Sequence, residues 1–332
     1  MWIKTLRRYR APTLSRSAFE VAVTVIPFLA LWGAAVWSSS ISYWLTVPIC
    51  VVAAGFLVRL FLIQHDCSHG AFFKTRQVND WVGRVIGVVT LTPYDAWQRS
   101  HVVHHATHGN LDARGIGDVQ TLTIEEYHAR SFLGRVAYRM YRSPAVLFGI
   151  GPIFLFLLHH RLPFGSMTHG AKYWISTMAT NVAVVGVLTL GVWLIGWLPF
   201  LVTYLCITCI AATLGVWLFY VQHQFEDAVW DDESDWHLHE AALHGSSHYD
   251  LPPVLRWMSA NIGIHHVHHL YSRIPFYHLP KILKDHPDLA NTRRITLWQS
   301  FSTVRLKLWD VQKRRMVSFR DARLSRAGSA ST

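Results

Sequence analysis

The chain predicts an all-α membrane protein in which four transmembrane helices form two hairpins and a cytoplasmic helical cap gathers a metal site. Three observations carry this expectation: an apolar composition, four apolar runs long enough to cross a bilayer, and three tight histidine clusters near the ends of those runs. Of 332 residues, 51% are hydrophobic, 13% aromatic and only 15% charged, and a mean hydropathy of +0.21 lies outside the usual soluble range. The net charge of +11 then fits loops retained on the cytoplasmic side, and no DNA or RNA module is legible.

The elements follow in order. The N-terminal stretch carries Lys4, Arg7, Arg8, Arg10 and Arg16 and no acid before Glu20. The run 19–37 that follows is too long for the apolar region of a signal peptide and has no small-residue cleavage site, so it reads as the first span with the N-terminus inside. After the polar SSSI loop, 43–63 returns across the bilayer, with Arg59 placed to snorkel to the interface. Segment 81–97, broken by glycines, Pro93 and Asp95, is short for a span and reads as an interfacial or partly inserted helix. Segment 145–158 has 14 apolar residues where a crossing needs about 20, so it is expected to lie at the interface. The runs 178–197 and 200–221 are long enough to cross and turn at the Leu198-Pro199 corner. Four crossings place both termini on one side, with the cap formed by 64–177 and 222–332 of a single domain, 1–332.

Imidazole is the commonest nitrogen ligand of transition metals, and helix positions i, i+3 and i+4 share a face. HDCSH supplies His65 and His69, HVVHH supplies His101, His104 and His105, and HHVHH supplies His265, His268 and His269, with His266 directed elsewhere. His223 follows Gln222 at the end of the fourth run as His65 follows Gln64 at the end of the second, which makes it a ninth candidate. A single such cluster would read as core histidines; three of them meeting at one membrane surface read as a cage. Eight or nine imidazoles exceed the four to six positions of one ion, so two metals are implied. A neutral, all-imidazole cage suits a redox metal that cycles with dioxygen, whereas hydrolytic pairs carry bridging carboxylates. No HExxH-type glutamate flanks any cluster, and the spans offer few polar residues to line an ion path, which speaks against a metalloprotease and a transporter.

The four cysteines make no disulfide framework: Cys206 and Cys209 sit in an apolar run, and Cys67 lies off the His65/His69 face. The basic tail with Lys313, Arg314, Arg315, Arg320, Arg323 and Arg326 could meet anionic lipid or an acidic electron-transfer protein. The final AGSAST reads as a frayed end.

HDCSH, HVVHH and HHVHH at this spacing, with the flanks HDCSHGAFFKTRQVNDWVG, FYVQHQFED and HHVHHLYSRIPFYHLPK, resemble the histidine boxes of integral-membrane fatty acid desaturases. The bacterial acyl-lipid Δ12 (omega-6) group is the nearest in character, and related hydroxylases and carotenoid ketolases share similar boxes. The resemblance covers residues about 43 to 285. It implies a di-iron centre held by His65, His69, His101, His104, His105, His265, His268 and His269, with His223 as the further ligand. It also implies dioxygen as co-substrate, a fatty acyl lipid as substrate, and an external electron donor such as ferredoxin, since the chain carries no nucleotide-binding fingerprint or haem domain of its own. His108, His266 and His278 fall outside the boxes and are expected to play supporting or structural roles. Asp66, Asp112 and Asp118 are expected to accept the second ring N–H of ligand histidines.

Overall fold

The computed structural model describes residues 2–329, without the side chains of 325–329. Four helices are long and apolar enough to cross a membrane: Leu14–Ser39, Tyr43–Ser68, Ala171–Ile195 and Trp197–His223. At 1.5 Å per residue, each exceeds the hydrocarbon thickness of a bilayer by roughly two turns or less. Their outward faces are apolar, with Trp44, Val182 and Trp193 all strongly exposed, as a lipid environment requires. Pro27 and Pro48 lie inside the first two without ending them.

The first two helices are separated only by a turn at Ser40–Ser42, where the Ser42 hydroxyl accepts from the Trp44 N–H at 3.2 Å and caps the second helix. The corner between the third and fourth lies at Gly196, not at Leu198-Pro199 as the sequence suggested. Gly196 has φ +91, a conformation that disfavours any side chain, and Pro199 sits in the first turn of the next helix, where a missing N–H costs nothing. The second helix is the hub: it packs against the first and fourth, and nearly all of its residues from Ala53 to Ser68 are buried.

Arg59 does not snorkel. It is 1% exposed, its guanidinium pairs with Glu20 of the first helix and donates to the Trp257 carbonyl, and it lies 4.1 Å from the Trp257 ring centroid. The reason is a counter-charge on the neighbouring helix: with Glu20 opposite, the cation is compensated inside the protein and need not reach water.

The expected interfacial helix over 81–97 is two helices, Arg76–Val89 and Tyr94–Thr107, which meet at a turn where Leu91 has φ +57. The first of them exposes Val78, Trp81 and Val85 at helical spacing and buries Asn79, Gly83 and Ile86, as an interfacial helix does. Over the expected 145–158 segment, a π-helical turn Val146–Ile150 runs into the helix Gly151–Leu157. With Phe132–Tyr141 this stretch forms a pair bent by 53°, with the composition of a broken span or a re-entrant loop.

The remaining chain is built of short helices with two small sheets that the all-helical expectation omitted. Leu122–Thr123 pairs in parallel with Leu308–Asp310, which pairs antiparallel with Arg315–Val317; His248–Asp250 pairs in parallel with Arg294–Thr296. The last helix, Phe319–Ser329, continues through the first three residues of the expected frayed end, and 330–332 lie outside the described residues.

Candidate metal centre

Four elements deliver the histidines. The second span carries His65 and ends beside His69; the helix Tyr94–Thr107 carries His101, His104 and His105; the fourth span ends on His223; and the short helix His265–Leu270 carries the rest. That last helix is placed by a tight approach at Gly263, where any Cβ would stand 2.3 Å from the Tyr249 carbonyl oxygen.

The nine candidate histidines all come together, but in two groups. His65, His69, His101, His105 and His268 form one, and His104, His223, His265 and His269 the other, with the ligand atoms of each group within 4.8 Å of one another. The boxes therefore divide. The i, i+4 pairs His65/His69, His101/His105 and His265/His269 each stay together, while His104 and His268, at the i+3 positions, cross to the opposite group. The 100° step of the helix explains this, because successive residues such as His104 and His105 cannot aim at one point.

The contacts within each group fit a cation. Nε2 of His69 lies 3.0 Å from Nε2 of His101, which lies 3.2 Å from Nε2 of His105, which lies 3.1 Å from Nε2 of His268. In the other group, Nε2 of His265 is 2.9 Å from Nε2 of His223 and 3.1 Å from Nε2 of His269. Two nitrogens bound at about 2.1 Å to one metal and at right angles stand about 3.0 Å apart. A neutral imidazole has one N–H and one lone pair, so several Nε2 atoms aimed at one another are satisfied together by a shared cation. Nε2 of His104, buried and without a hydrogen-bond partner, points to the same conclusion. Burial, then the neighbouring imidazoles, holds His101, His105, His265, His268 and His269 well below the ordinary histidine value, which keeps them in the neutral, ligating form.

The comparisons with known proteins bear on what such a centre does. The family model "Fatty acid desaturase" matches residues 42–301. The chain belongs to the fatty acid desaturase family. It is 43% identical over 317 residues to a "Fatty acid desaturase" of Bacillus subtilis, covering 96% of this chain and 90% of the relative. It is 29% identical to an "sn-1 acyl-lipid omega-3 desaturase (ferredoxin)" of Synechocystis, covering 78% and 73% of the two chains. An "sn-1 oleoyl-lipid 12-desaturase" of the same organism is 28% identical, with 71% and 67% covered.

The surroundings of the desaturase's histidines sort the other sequence expectations. Asp118 accepts from Nδ1 of His104 at 2.5 Å, and Asp66 lies 3.3 Å from Nδ1 of His65 while its other oxygen accepts from the Phe276 N–H at 2.7 Å. Asp112 touches no imidazole; it accepts from the Glu233 N–H at 2.9 Å, turn chemistry within a glycine-rich loop. His266 faces away from both groups and bonds the Leu289 carbonyl, and His278 bonds the Tyr9 carbonyl. His108 donates from Nε2 to the Gly245 carbonyl at 2.7 Å, and the same nitrogen lies 3.3 Å from Nδ1 of His223, a member of the four-histidine group. Its convergence with His104 and Asp118 reuses groups already joined by the His104–Asp118 bond. All four cysteines are free, and Cys67 is buried outside both groups.

Sequence reasoning missed the aromatic wall. Trp97 stacks on His101 at 4.6 Å with planes 15° apart, Phe61 packs edge-on against Trp97, and Phe219 lies against His104 and His223. The available signal was Trp97 itself, one turn before His101 on the same helix.

Proposed function

We propose that this desaturase introduces a cis double bond into a long acyl chain of a membrane lipid, with two iron ions held by His65, His69, His101, His105 and His268 and by His104, His223, His265 and His269. The reaction balances as –CH2–CH2– + O2 + 2 e⁻ + 2 H⁺ → –CH=CH– + 2 H2O, and the electrons come from an external carrier. The observation that carries this reading is the division of nine imidazoles into groups of five and four, each with nitrogens at the spacing of ligands on one ion. When bound, the metal pair supplies redox chemistry with dioxygen that no acid or base can replace, since a methylene offers neither an acidic proton nor a dipole.

The chain's own residues do the rest. Asp118 and Asp66 accept hydrogen bonds from the Nδ1–H of His104 and His65 and so leave the Nε2 lone pair free on each ring. Trp97, Phe61 and Phe156 form a continuous apolar surface beside His101, where an acyl chain can lie with water excluded. The names of the cyanobacterial relatives favour acyl chains esterified in lipid and Δ12 or omega-type chemistry. The chain acts as one domain in a bacterial inner membrane, with both termini and the histidines on the cytoplasmic side, where positive residues at the N-terminus and in the cap hold them.

The test is the fatty acid profile of a host with saturated and monounsaturated lipids that expresses this chain together with a ferredoxin system. A new double bond, absent with His268→Ala, is expected, and its position fixes the regiochemistry. A hydroxylated or keto product would move the reading to a related oxygenase.

A further inference from the structure

We infer that an acidic electron-carrier protein docks over the open edge of the five-histidine group, on a cationic rim made by Lys74 and Arg273. This rests on the proposed desaturase reaction, which requires two electrons from outside the chain.

The two histidine groups differ in access. Every member of the four-histidine group is buried, whereas His69 and His105 of the five-histidine group are each partly exposed, with ring centroids 4.7 Å apart. Electrons from a docked protein therefore meet the five-histidine group first. Arg76 stands beside His69, its guanidinium donating to the Ser68 carbonyl at 3.1 Å, and Arg273 is a second cation that acts on the His69 ring. Two carboxylates lie close by, and both are engaged: Asp66 is buried against the Phe276 N–H and His65, and Asp80 pairs with Arg76 at 2.9 Å. Lys74 and Arg273 are exposed and, among the described residues, have no carboxylate partner. Lys74 stands in the loop that joins His69 to the next helix, and Arg273, five residues beyond His268, is close enough to act on the His69 ring, so the two flank the same opening.

The basic tail is a poorer dock than its sequence suggested. Arg314 pairs with Asp231 at 2.7 Å, Arg315 with Glu226 at 3.1 Å, and Lys313 with Asp310 at 3.6 Å, so this part of its charge is spent on carboxylates of the chain itself. The helix that carries Arg320 and Arg323 packs through Phe319 on Tyr127 and Tyr138, away from the histidines. A positive rim around a redox site steers a negative partner and gives its association a strong salt dependence.

The experiment measures binding of an acidic plant-type [2Fe–2S] ferredoxin to the full-length enzyme in lipid nanodiscs at 50 and 300 mM NaCl. In Lys74→Glu/Arg273→Glu the Kd at low salt is expected to rise at least tenfold, with the gap narrowing at high salt, while Lys74→Arg/Arg273→Lys and Arg320→Glu/Arg323→Glu stay within about twofold of the parent. No binding by the parent, an unchanged Kd in the charge-reversed pair, or a loss that falls on Arg320→Glu/Arg323→Glu would overturn the inference. Turnover of the parent driven by photoreduced methyl viologen, a small cation that needs no dock, reports on the lipid reaction separately. Ferredoxin binding that depends on Lys74 and Arg273 supports the dock whether or not that turnover yields a double bond.

Discussion

Asp118 and His104 are joined by a 2.5 Å hydrogen bond at Nδ1, and the opposite ring nitrogen of His104 is buried among His223, His265 and His269. One carboxylate, delivered by the glycine-containing loop after the second histidine box, thereby sets the tautomer of the one residue of that box that serves the four-histidine group. Asp118→Asn is expected to weaken metal binding in that group by roughly 10- to 100-fold with little change in the other. Metal titration of the apo-protein, followed by the retention of one or two ions, reads this out. Equal weakening of both groups would mean that Asp118 acts on the fold and not on His104.

Glu20 and Arg59 form an ion pair buried between the first two spans and tied to Trp257, a few residues before the third box. Removing only Glu20, as Glu20→Leu, leaves a buried guanidinium uncompensated and is expected to cost about 3–5 kcal/mol. Glu20→Leu/Arg59→Met is expected to recover most of that loss. Thermal unfolding in detergent distinguishes the two; a double variant as unstable as the single one would contradict the pairing.

Gly263 leaves no room for a side chain beside the Tyr249 carbonyl. Gly263→Ala must displace the start of the helix His265–Leu270, at about 1–3 kcal/mol and with loss of metal occupancy out of proportion to the loss of stability. Unfolding temperature and metal content measured on one preparation test this.

Acid should release the metals. His101, His105, His265, His268 and His269 are held well below the ordinary value of 6.5, so the folded protein resists protonating them while the unfolded chain does not. A depressed folded value contributes stability that is present above the unfolded value and is lost as pH falls below it. Between pH 7.5 and 5 the unfolding temperature of the apo-protein is expected to fall, steeply below about 6.5, where free histidine takes up its proton. A flat profile across that range would contradict the neutral cluster.

Much of this could be read from the sequence because its signals are local. Apolar length identified the four spans, histidine spacing picked out eight of the nine residues that meet, and the place of His223 after Gln222 at the end of the fourth run picked out the ninth. What escaped depends on packing between distant segments. Glu20 carries no signal until the first two helices are laid side by side, and Arg59 alone looked like an interface residue. The passage of His104 and His268 to opposite groups follows from the helix step, yet it could be assigned only with all four helices in place. Asp112 and Asp118 sit in one loop and looked alike as acceptors; the turn around Asn110, whose side chain accepts from the Asp112 N–H, directs the first away from the histidines.

Iron content tests the two-metal account most directly. Protein expressed in iron-supplied cells and purified without chelators should hold two iron ions per chain, one for each histidine group. His268→Ala, in the five-histidine group, and His269→Ala, in the four-histidine group, should each fall toward one ion while remaining folded. One ion in the parent, or zinc in place of iron at both sites, would contradict it.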